Sequence, residues 1–298
     1  ILLRLTRSLA VEYGIPNLCL AGGVALNCVA NGKILRDGAF KRLWIQPAAG
    51  DAGGALGAAL AAWHLVDQGE RSADGMHDGM AGAYLGPAFP HTEIESRLIA
   101  AGARLTLCDD IAAATAAELA AGKVVGWFQG RMEFGPRALG ARSILADPRS
   151  AEMQSVVNLK VKARESFRPF APAIRREDVA EWFDLEGNSP YMLLVARIHP
   201  NHRRPVKEES KGLAWLKQIR SDLPAVTHVD YSARLQTVHA DTNPRFHALL
   251  GRFGTLTGCP VLLNTSFNVR GEPIVHTPEQ AFRCFMGTGL EVLAIGDC

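Results

Sequence analysis

Short apolar runs alternate with helical patterns along this chain of 298 residues. Residues 17–21 and 43–45 have the composition of buried strands, and a helical pattern follows each of them. Further along, the apolar run at 124–128 also follows a helical pattern. Strands separated by helices predict crossover connections and therefore an α/β fold. A chain of this length can form one large domain or two of ordinary size.

The remaining elements are predicted from the same patterns. Further helices are expected before residue 13, from about 27, over 52–66, from 92, after 109 or 110, and over 244–253 and 278–285, with further strands at 104–107, 191–198, 225–228, 260–263 and 290–295. The polar, glycine-rich stretch 68–90 predicts a linker. The chain thus divides into a first module at 1–67, a linker at 68–90 and a second module at 91–298. Residues 199–224 are polar and irregular, which predicts an excursion or lid.

Composition argues against several classes of protein. A net charge of +2 and a hydrophobic content of 48% indicate a globular protein without a dedicated nucleic-acid surface. None of the six cysteines forms a C-x-x-C pair, which argues against a zinc ribbon and favours reduced thiols in the cytoplasm. No apolar run approaches the roughly 18 residues of a membrane helix, and no signal peptide is visible. Because the chain starts without Met and stops just after a predicted strand, we interpret it as a fragment of a longer polypeptide.

Positive side chains recur just before Pro169. Lys160, Lys162 and Arg164 alternate with other residues, and Arg168 follows. This alternation predicts a strand that presents one face to a ligand. The alternative is a solvated edge strand whose lysines prevent aggregation. No acidic residue alternates with the cations, and apolar chain follows at once, which favours a binding site.

Hydroxyls and carboxamides cluster directly after the predicted strand at 260–263. They belong to Asn264, Thr265, Ser266 and Asn268. A polar turn after a core strand is the alternative, but the density of hydrogen-bonding side chains favours a site. Arginine forks bind phosphate oxygens, and amide and hydroxyl dipoles can orient the rest of a ligand. Together with the cations before Pro169, this cluster predicts a pocket for a phosphate-rich molecule that carries a carbonyl group, such as an activated phosphate or an adenylate.

A glycine turn at Gly22 and Gly23 lies between the predicted strand at 17–21 and the helix that begins near Asn27. Backbone N–H groups in such a turn can bind an oxyanion, and the helix N-terminus adds a favourable potential. A plain strand-to-helix turn is equally compatible with the spacing. Asp51 is predicted as a helix N-cap, with a metal or ribose contact as its alternative.

A third candidate region follows the predicted strand at 124–128. Its polar side chains are Arg131, Glu133, Arg137, Arg142, Ser143 and Arg149. Arginines mixed with glycines in a loop after a buried strand favour anion capture, and solvated surface arginine is the alternative.

The segment 227–238 alternates polar and apolar residues, which predicts a half-buried strand pair. Arg234 is its strongest candidate for a binding site. His228 is weaker, because a lone histidine in such a position is more often a satisfied core residue than a catalyst.

Taken in order, these strings resemble the carboxy-terminal half of the NodU/CmcH-type O-carbamoyltransferases. The matching blocks are residues 22–33, 48–59, 126–149, 158–172, 226–238 and 262–277. Several blocks in family order are more specific than one short motif. The resemblance implies the tail of an actin/sugar-kinase-like (ASKHA) domain, followed by a YrdC-like α/β domain with a twisted, mixed sheet. The YrdC-like signatures resemble Lys162-Ala163-Arg164 with Arg168-Pro169, and residues 264–268 with Gly271.

The resemblance also implies chemistry in two steps. The YrdC-like module would join carbamoyl phosphate to ATP, giving carbamoyl-adenylate and pyrophosphate, and the kinase-like module would pass the carbamoyl group to a hydroxyl of a small-molecule or oligosaccharide acceptor. The implied catalytic residues are Lys162, Arg168, Arg234 and Ser266. The implied substrate- and nucleotide-binding residues are Gly22, Gly23, Asn27, Arg137, Arg142, Ser143, Arg164, His228, Asn264, Thr265 and Asn268. Fixed cations suit such transfer, because charge builds on phosphoryl oxygens and is stabilised without reorganisation.

The resemblance also implies two metal ions. Mg²⁺ would accompany ATP, and Asp51 would be one ligand of a bound Fe²⁺ in the complete enzyme. The paired-histidine motif that supplies further ligands in the family is absent from this sequence, and one carboxylate binds metal poorly. We therefore expect this chain to retain at most adenylate formation, with full transfer requiring the missing segment.

Two other functions use similar features. A threonylcarbamoyl-adenylate synthase of tRNA modification shares the pocket but lacks a fused upstream module such as residues 22–59. An RNA-binding module could use the same basic cleft, but near-neutral charge and an aromatic content of 7% argue against it. The expected partners are therefore carbamoyl phosphate, ATP and a hydroxylated small molecule, with neither nucleic acid nor a membrane.

Overall fold

The computed structural model describes residues 1–72, 78–206, 213–216 and 218–298. It confirms an α/β architecture. The first module contributes a parallel pair of strands, and the second module contributes a mixed sheet of eight strands. None of the helices within these ranges is both long enough and apolar enough to span a membrane.

The first module follows the predicted order of helix, strand, helix, strand and helix. Its elements are α1 (Leu2–Tyr13), β1 (Asn17–Leu20), α2 (Cys28–Asp37), β2 (Arg42–Ile45) and α3 (Asp51–Ala61), with a π-helical extension of α3 at Ala62–Val66. Strands β1 and β2 are parallel, and Asn17 lies opposite Arg42. Asn27 caps α2, because its side-chain oxygen accepts a hydrogen bond from the backbone nitrogen of Ala30 at 3.1 Å.

The second module is built on the eight-stranded sheet. Its strands are β3 (Val125–Phe128), β4 (Arg142–Ala146), β5 (Ala171–Arg175), β6 (Phe183–Asp184), β7 (Leu194–Ile198), β8 (Ser232–Val238), β9 (Val261–Ser266) and β10 (Val292–Ile295). Their order across the sheet is β10-β3-β4-β9-β5-β8-β7-β6. The pairs β10–β3 and β5–β8 are parallel, and the other pairs are antiparallel. Strand β9 therefore lies between β4 and β5, in the middle of the sheet.

Helices cover the sheet on both faces. They are α4 (His91–Ala100), α5 (Ile111–Ala120), α6 (Met153–Val156), α7 (Val179–Trp182), α9 (Pro244–Thr257) and α10 (Pro278–Met286). The short helix α8 (Leu213–Leu216) belongs to the connection between β7 and β8. Helices α5 and α9 pack together over a core that contains Trp127. Helices α4 and α10 pack together over a separate core that contains Phe128. Because consecutive strand residues point to opposite faces, these two cores lie on opposite sides of β3.

A buried seam joins the two modules between α2 and β7. Asn31 is fully buried in α2, and its Nδ2 donates a hydrogen bond to the carbonyl oxygen of Leu193 at 3.0 Å. Arg36 Nη1 donates to the carbonyl oxygen of Val195 at 3.3 Å. A Cβ on Gly32 would lie 2.7 Å from Cγ2 of Val195. The absence of a side chain at Gly32 therefore allows α2 and β7 to approach this closely.

Part of the predicted linker packs into this seam. Met80 and Ala83 are buried in the same apolar cluster as Leu139 and Tyr191. The hydroxyl of Tyr84 donates to the carbonyl oxygen of Leu139 at 2.7 Å. Residues 73–77 of the predicted linker lie outside the described residues.

The strands predicted at 104–107 and 225–228 are wrong. Residues 104–107 join neither sheet. Their polar and apolar residues alternate because one side of the chain, with Leu105, packs against the core. In place of the strand predicted at 225–228, Pro224–Val226 forms a 3₁₀ turn. Thr227 Oγ1 closes that turn by donating to the carbonyl oxygen of Leu223 at 2.7 Å.

The predicted excursion at 199–224 contains a 3₁₀ turn at Pro200–His202 and the short helix α8. The imidazole of His202 stacks on the indole of Trp182, with 3.9 Å between ring centroids. The start of the excursion is thus packed against α7. Residues 207–212 and 217 of the excursion lie outside the described residues.

Candidate functional site

A helical segment replaces the strand predicted around Lys162. Helix α6 continues as a π-helical segment at Val157–Val161, and Lys162 is its C-cap. The buried residues Val157 and Val161 have the four-residue spacing of a helix, so the predicted strand is wrong. The helical turn leaves Lys160 exposed and buries Lys162, which is 4% exposed. Of these two lysines, only Lys162 faces the interior.

Lys162 contacts the polar segment at the end of β9. Its Nζ donates to Ser266 Oγ at 3.1 Å and to Asn268 Oδ1 at 2.8 Å, and it contacts the backbone oxygens of both residues. Ser266 Oγ donates to Asn268 Oδ1 at 2.7 Å. All these partners are neutral oxygens. Burial, and then the charge of Arg164, lower the pKa of Lys162 to about 7.

The loop after Lys162 carries two arginines. It begins at Ala163, whose φ of 46° lies in the left-handed region that is uncommon for a residue with a Cβ. Arg164 Nε donates to Asn158 Oδ1 at 2.6 Å, and its guanidinium carbon lies 4.9 Å from the ring centroid of Phe170. Burial, and then the charge of Arg168, lower the pKa of Arg164. The two guanidinium groups are therefore electrostatic neighbours.

Strand β8 places Arg234 beside Arg137 and Arg164. Burial, and then the charges of Arg137 and Arg164, lower the pKa of Arg234 to about 10. The Nε atoms of Arg137 and Arg234 are buried and have no hydrogen-bond partner among the described residues. Burial also lowers the pKa of His228, and Arg234 adds to this effect while Asp230 opposes it. Cations that repel one another and keep unpaired donors are typical of a site for an anion.

Glu133 organises the loop that carries Arg137. Its Oε1 accepts hydrogen bonds from the backbone nitrogens of Leu139 at 2.6 Å and Ala141 at 2.8 Å. Burial raises the pKa of this carboxyl group, and the backbone hydrogen bonds oppose the increase. Arg137 Nη2 donates to the carbonyl oxygen of Leu26 at 3.4 Å. The loop therefore places Arg137 against the first module.

The predicted glycine turn lies on the first-module side of the contact between Arg137 and Leu26. Gly22, with φ 90°, precedes a 3₁₀ turn at Gly23–Leu26, and Asn27 then caps α2. Cys28, the first residue of α2, is an electrostatic neighbour of Arg234. The N-terminus of α2 thus meets Arg137 and Arg234 of the second module at the seam.

Arg142 and Ser143 have structural contacts. Arg142 is fully buried, and its guanidinium donates to the carbonyl oxygens of Gln129 at 3.0 Å and Gly130 at 3.2 Å. Ser143 is also fully buried, and its Oγ accepts from the backbone nitrogen of Gly140 at 3.0 Å. These contacts hold loops in place, and a role for either residue in binding substrate or nucleotide stays a prediction.

Residues of β9 divide between the two faces of the sheet. Thr265 points away from Asn264 and Ser266, because side chains alternate along a strand, and its role as a binding residue stays a prediction. Asn264 is fully buried, and its Nδ2 donates to Gln236 Oε1 at 2.8 Å. Gln236 Nε2 donates in turn to the carbonyl oxygen of Leu139 at 2.7 Å. This buried chain of amides connects β9 and β8 to the loop that carries Arg137.

Asp51 lies apart as an exposed residue in the first turn of α3. Gly50 occupies the N-cap, so the prediction that Asp51 caps the helix is wrong, although a carboxylate in this turn is favourable next to the helix N-terminus. Among the residues that the structure describes, no group of three His, Cys, Asp or Glu side chains could hold a metal ion. The described residues therefore do not complete a ligand set for Fe²⁺ around Asp51, and its role as a metal ligand stays a prediction.

The sequence patterns did not identify three residues of this region: Asn158, Gln236 and Cys28. Asn158 and Gln236 are buried amides, and each occupies a position where helical or strand periodicity places an apolar residue. That polarity at a buried position is the signal that could have identified them. Cys28 carries no comparable signal, because its proximity to Arg234 depends on how the modules pack.

Two family models match the chain. The model described as the carbamoyltransferase C-terminus matches residues 116–298, which is more than half of the chain. The model described as the carbamoyltransferase N-terminus matches residues 1–60.

Relatives match over almost the whole chain. It is 56% identical over 302 residues to an uncharacterized protein of Synechocystis sp., covering 99% of this chain and 49% of the relative. It is 44% identical over 289 residues to the nodulation protein NolO of Bradyrhizobium diazoefficiens, covering 95% and 49%. It is 36% identical over 280 residues to the 3'-hydroxymethylcephem-O-carbamoyltransferase of Streptomyces clavuligerus, covering 94% and 48%. The chain thus spans about half the length of these curated relatives.

Among solved structures, full-length HypF in its phosphate- and nucleotide-bound form aligns with 62% of this chain and 24% of its own, with 16% identity and a TM-score of 0.39. This score is too low to establish a shared fold. The family assignment depends instead on the sequence matches over both modules. The chain belongs to the NodU/CmcH-type O-carbamoyltransferase family.

Proposed function

We propose that the second module converts carbamoyl phosphate and ATP to carbamoyl-adenylate, as one part of a longer carbamoyltransferase. The observation that most supports this proposal is the contact of Lys162 with Ser266 and Asn268 beside the arginine cluster. We define the arginine cluster as Arg137, Arg164, Arg168 and Arg234. Family membership supplies the class of reaction, and the cluster supplies the charge that a phosphate-rich substrate requires.

The proposed reaction consumes one water molecule. Water cleaves the P–O bond of carbamoyl phosphate to give phosphate and carbamate, and a carbamate oxygen then attacks the α-phosphorus of ATP. The bond from the α-phosphorus to the bridging oxygen breaks, so carbamoyl-adenylate and pyrophosphate form. Negative charge increases on the phosphoryl oxygens during both substitutions. Fixed guanidinium groups and the Lys162 ammonium stabilise this charge without reorganising, and Mg²⁺ accompanies ATP.

The polar groups of β9 have a different role in this proposal. Ser266 and Asn268 orient the carbamoyl group, because hydroxyl and amide groups can both donate to its carbonyl and accept from its NH₂. The Nζ of Lys162 lies between these groups, where it reaches the phosphoryl oxygens next to the carbamoyl carbon. The phosphate end of the substrate then faces Arg164 and Arg168.

The transfer step belongs to the first module together with the part of the enzyme that this chain does not contain. An acceptor hydroxyl attacks the carbamoyl carbon and AMP leaves. A cephem relative is named for transfer to a hydroxymethyl group, and other relatives are nodulation proteins. We therefore propose a hydroxylated small molecule or oligosaccharide as the acceptor class. The glycine turn with Gly22, Gly23 and Asn27 contacts the nucleotide from this side.

Release of pyrophosphate from ATP in the presence of carbamoyl phosphate tests the adenylation step. The wild-type protein should release pyrophosphate only when both substrates are present. Lys162→Ala and Arg168→Ala should each lower kcat/KM by about a hundredfold, which corresponds to about 3 kcal/mol of transition-state stabilisation. The matched control is Lys160→Ala, which removes an exposed lysine two positions from Lys162 and should leave the rate unchanged.

Equal rates for wild type and both variants would remove Lys162 and Arg168 from the site. Tight, salt-sensitive binding of RNA without any ATP turnover would instead favour a nucleic-acid function for the same cations.

A further inference from the structure

Asn158 lies at the root of the loop that carries Arg164 and Arg168. It occupies the helical segment Val157–Val161 and is fully buried, although its side chain is polar. A buried amide is stable only when its donors and acceptor are used. The partners of this amide therefore show what it stabilises.

All contacts of the Asn158 amide are made with this loop. Its Oδ1 accepts from Arg164 Nε at 2.6 Å. Its Nδ2 donates to the carbonyl oxygens of Ser166 at 3.1 Å and Arg168 at 2.9 Å. One side chain thus fixes the guanidinium of Arg164 and the backbone of the segment that ends at Arg168.

The loop requires such support for two reasons. Arg164 and Arg168 repel each other, and Arg234 adds a third positive charge to Arg164's surroundings. Ala163 also holds a left-handed backbone conformation, with φ 46°, that a residue with a Cβ adopts at an energetic cost. Without a fixed partner, the arginine side chains would separate and the loop would relax.

We propose that Asn158 is a positioning residue for the anion site, and that it acts by holding Arg164 and the Arg168 backbone in the geometry that binds phosphate. This inference rests on the proposed function, because it assumes that the arginine cluster binds the phosphate groups of the substrates. Phe170 holds the same guanidinium through its ring face, so Arg164 is fixed by two neighbours of different kinds.

Calorimetric titration of the full-length protein with inorganic pyrophosphate tests the inference without depending on turnover. Asn158→Ala should weaken binding by at least about tenfold. Arg164→Lys keeps the positive charge but loses the bond from Nε to Asn158, so it should weaken binding to a similar extent. The double variant should lose less affinity than the sum of the two single losses, because both changes remove the hydrogen bond between Asn158 and Arg164.

Gln154→Ala is the matched control. Gln154 Nε2 donates to the carbonyl oxygens of Phe167 at 3.1 Å and Arg168 at 3.3 Å, so it supports the loop backbone but none of its recorded bonds is to Arg164. The control should bind pyrophosphate within about twofold of wild type. If Asn158 acted only by supporting the loop backbone, the Gln154→Ala control would instead bind pyrophosphate as weakly as Asn158→Ala.

The outcomes separate the inference from the function on which it rests. Wild-type affinity in Asn158→Ala, or additive losses in the double variant, would overturn the positioning role alone. If Asn158→Ala does not fold, Arg164→Lys decides the question, and wild-type affinity in that variant overturns the role. A wild-type protein that binds no pyrophosphate contradicts the proposed anion site, and the positioning role fails with it.

Discussion

Lys162 combines a buried position with a proposed function that requires charge. Its pKa is lowered to about 7 because burial disfavours the ammonium form, and all its present partners are neutral oxygens. A bound anion adjacent to Nζ would favour the protonated form again. Anion binding at this site should therefore be linked to the uptake of a proton.

This linkage predicts proton uptake when sulfate binds at about pH 8, where the free Lys162 is mostly neutral. Sulfate does not titrate in this range, so any uptake comes from the protein. Below about pH 7 the lysine is already charged, and the uptake should disappear while the affinity rises. Calorimetry in two buffers with different ionisation enthalpies measures the number of protons, and Lys162→Met should show weaker binding without uptake. Binding without uptake in the wild type would contradict the role of Lys162.

The amide of Gln236 links two buried polar groups, the carbonyl oxygen of Leu139 and the side-chain amide of Asn264, and each of them has one further partner. Gln236→Leu leaves the carbonyl oxygen of Leu139 and the Nδ2 of Asn264 without this partner. The cost should be about 2 kcal/mol in the free energy of unfolding, because buried polar groups lose a bond that water does not replace. Urea denaturation measures the change, and an unaltered midpoint would show that the amide chain does not stabilise the fold.

Helix α10 illustrates how an element is placed by contacts at its first turn. Its N-terminus has a capping box formed by Thr277 and Gln280. Glu279 follows in the first turn and pairs with Arg97 of α4, with nitrogen–oxygen distances of 2.5 and 2.9 Å. Helix α10 also carries Cys284, which is an electrostatic neighbour of Lys162. The ion pair therefore helps to hold the helix that lies behind the candidate site.

Glu279→Gln should lower the free energy of unfolding by about 0.5–1 kcal/mol at neutral pH, since the pair is partly exposed and screened by water. Hydrogen bonding to Arg97 lowers the pKa of Glu279 to about 2. A carboxyl group with a lowered folded-state pKa stabilises the fold above its unfolded value of 4.5 and loses this contribution as pH falls towards 2. Denaturation of both proteins across that window should show the difference shrinking. Glu12→Gln, on the exposed surface of α1, is the control and should have no measurable effect at either end of the window.

The whole molecule depends on the seam between its modules. The seam brings the N-terminus of α2 to the arginine cluster, so its geometry decides whether the two modules can act on one ligand. Gly32 is critical there because the side chain and carbonyl oxygen of Val195 leave no room for a Cβ.

Gly32→Ala should therefore lower the free energy of unfolding by about 1–3 kcal/mol, because α2 must move away from β7. The matched control is Gly57→Ala in α3, where a Cβ meets nothing within 4 Å. Alanine should stabilise that exposed helical position by about 0.5–1 kcal/mol. Denaturant titration of both variants distinguishes the two effects. Equal stabilisation of both variants would mean that the seam is not tightly packed.

Much of the architecture could be predicted because it depends on local patterns. The apolar residues of α9 recur at the spacing of a helix, and Thr277 with Gln280 defines the start of α10. The same patterns failed at 104–107 and around Lys162. Short alternating stretches fit a strand and an exposed helical turn equally well, and only packing distinguishes them.

The order of residues along the chain was sufficient to indicate an α/β protein and its family, because periodicity, turn chemistry and family motifs depend on neighbouring positions. Packing alone decided which charges meet. Lys162 and Ser266 are 104 positions apart, and they touch because β9 lies in the middle of the sheet beside the end of the helical segment. Packing also decided that Arg142 donates to backbone carbonyls, whereas Arg234 lies beside the positive charges of Arg137 and Arg164. Both are strand arginines, and they differ because the neighbouring elements that pack against each strand are different.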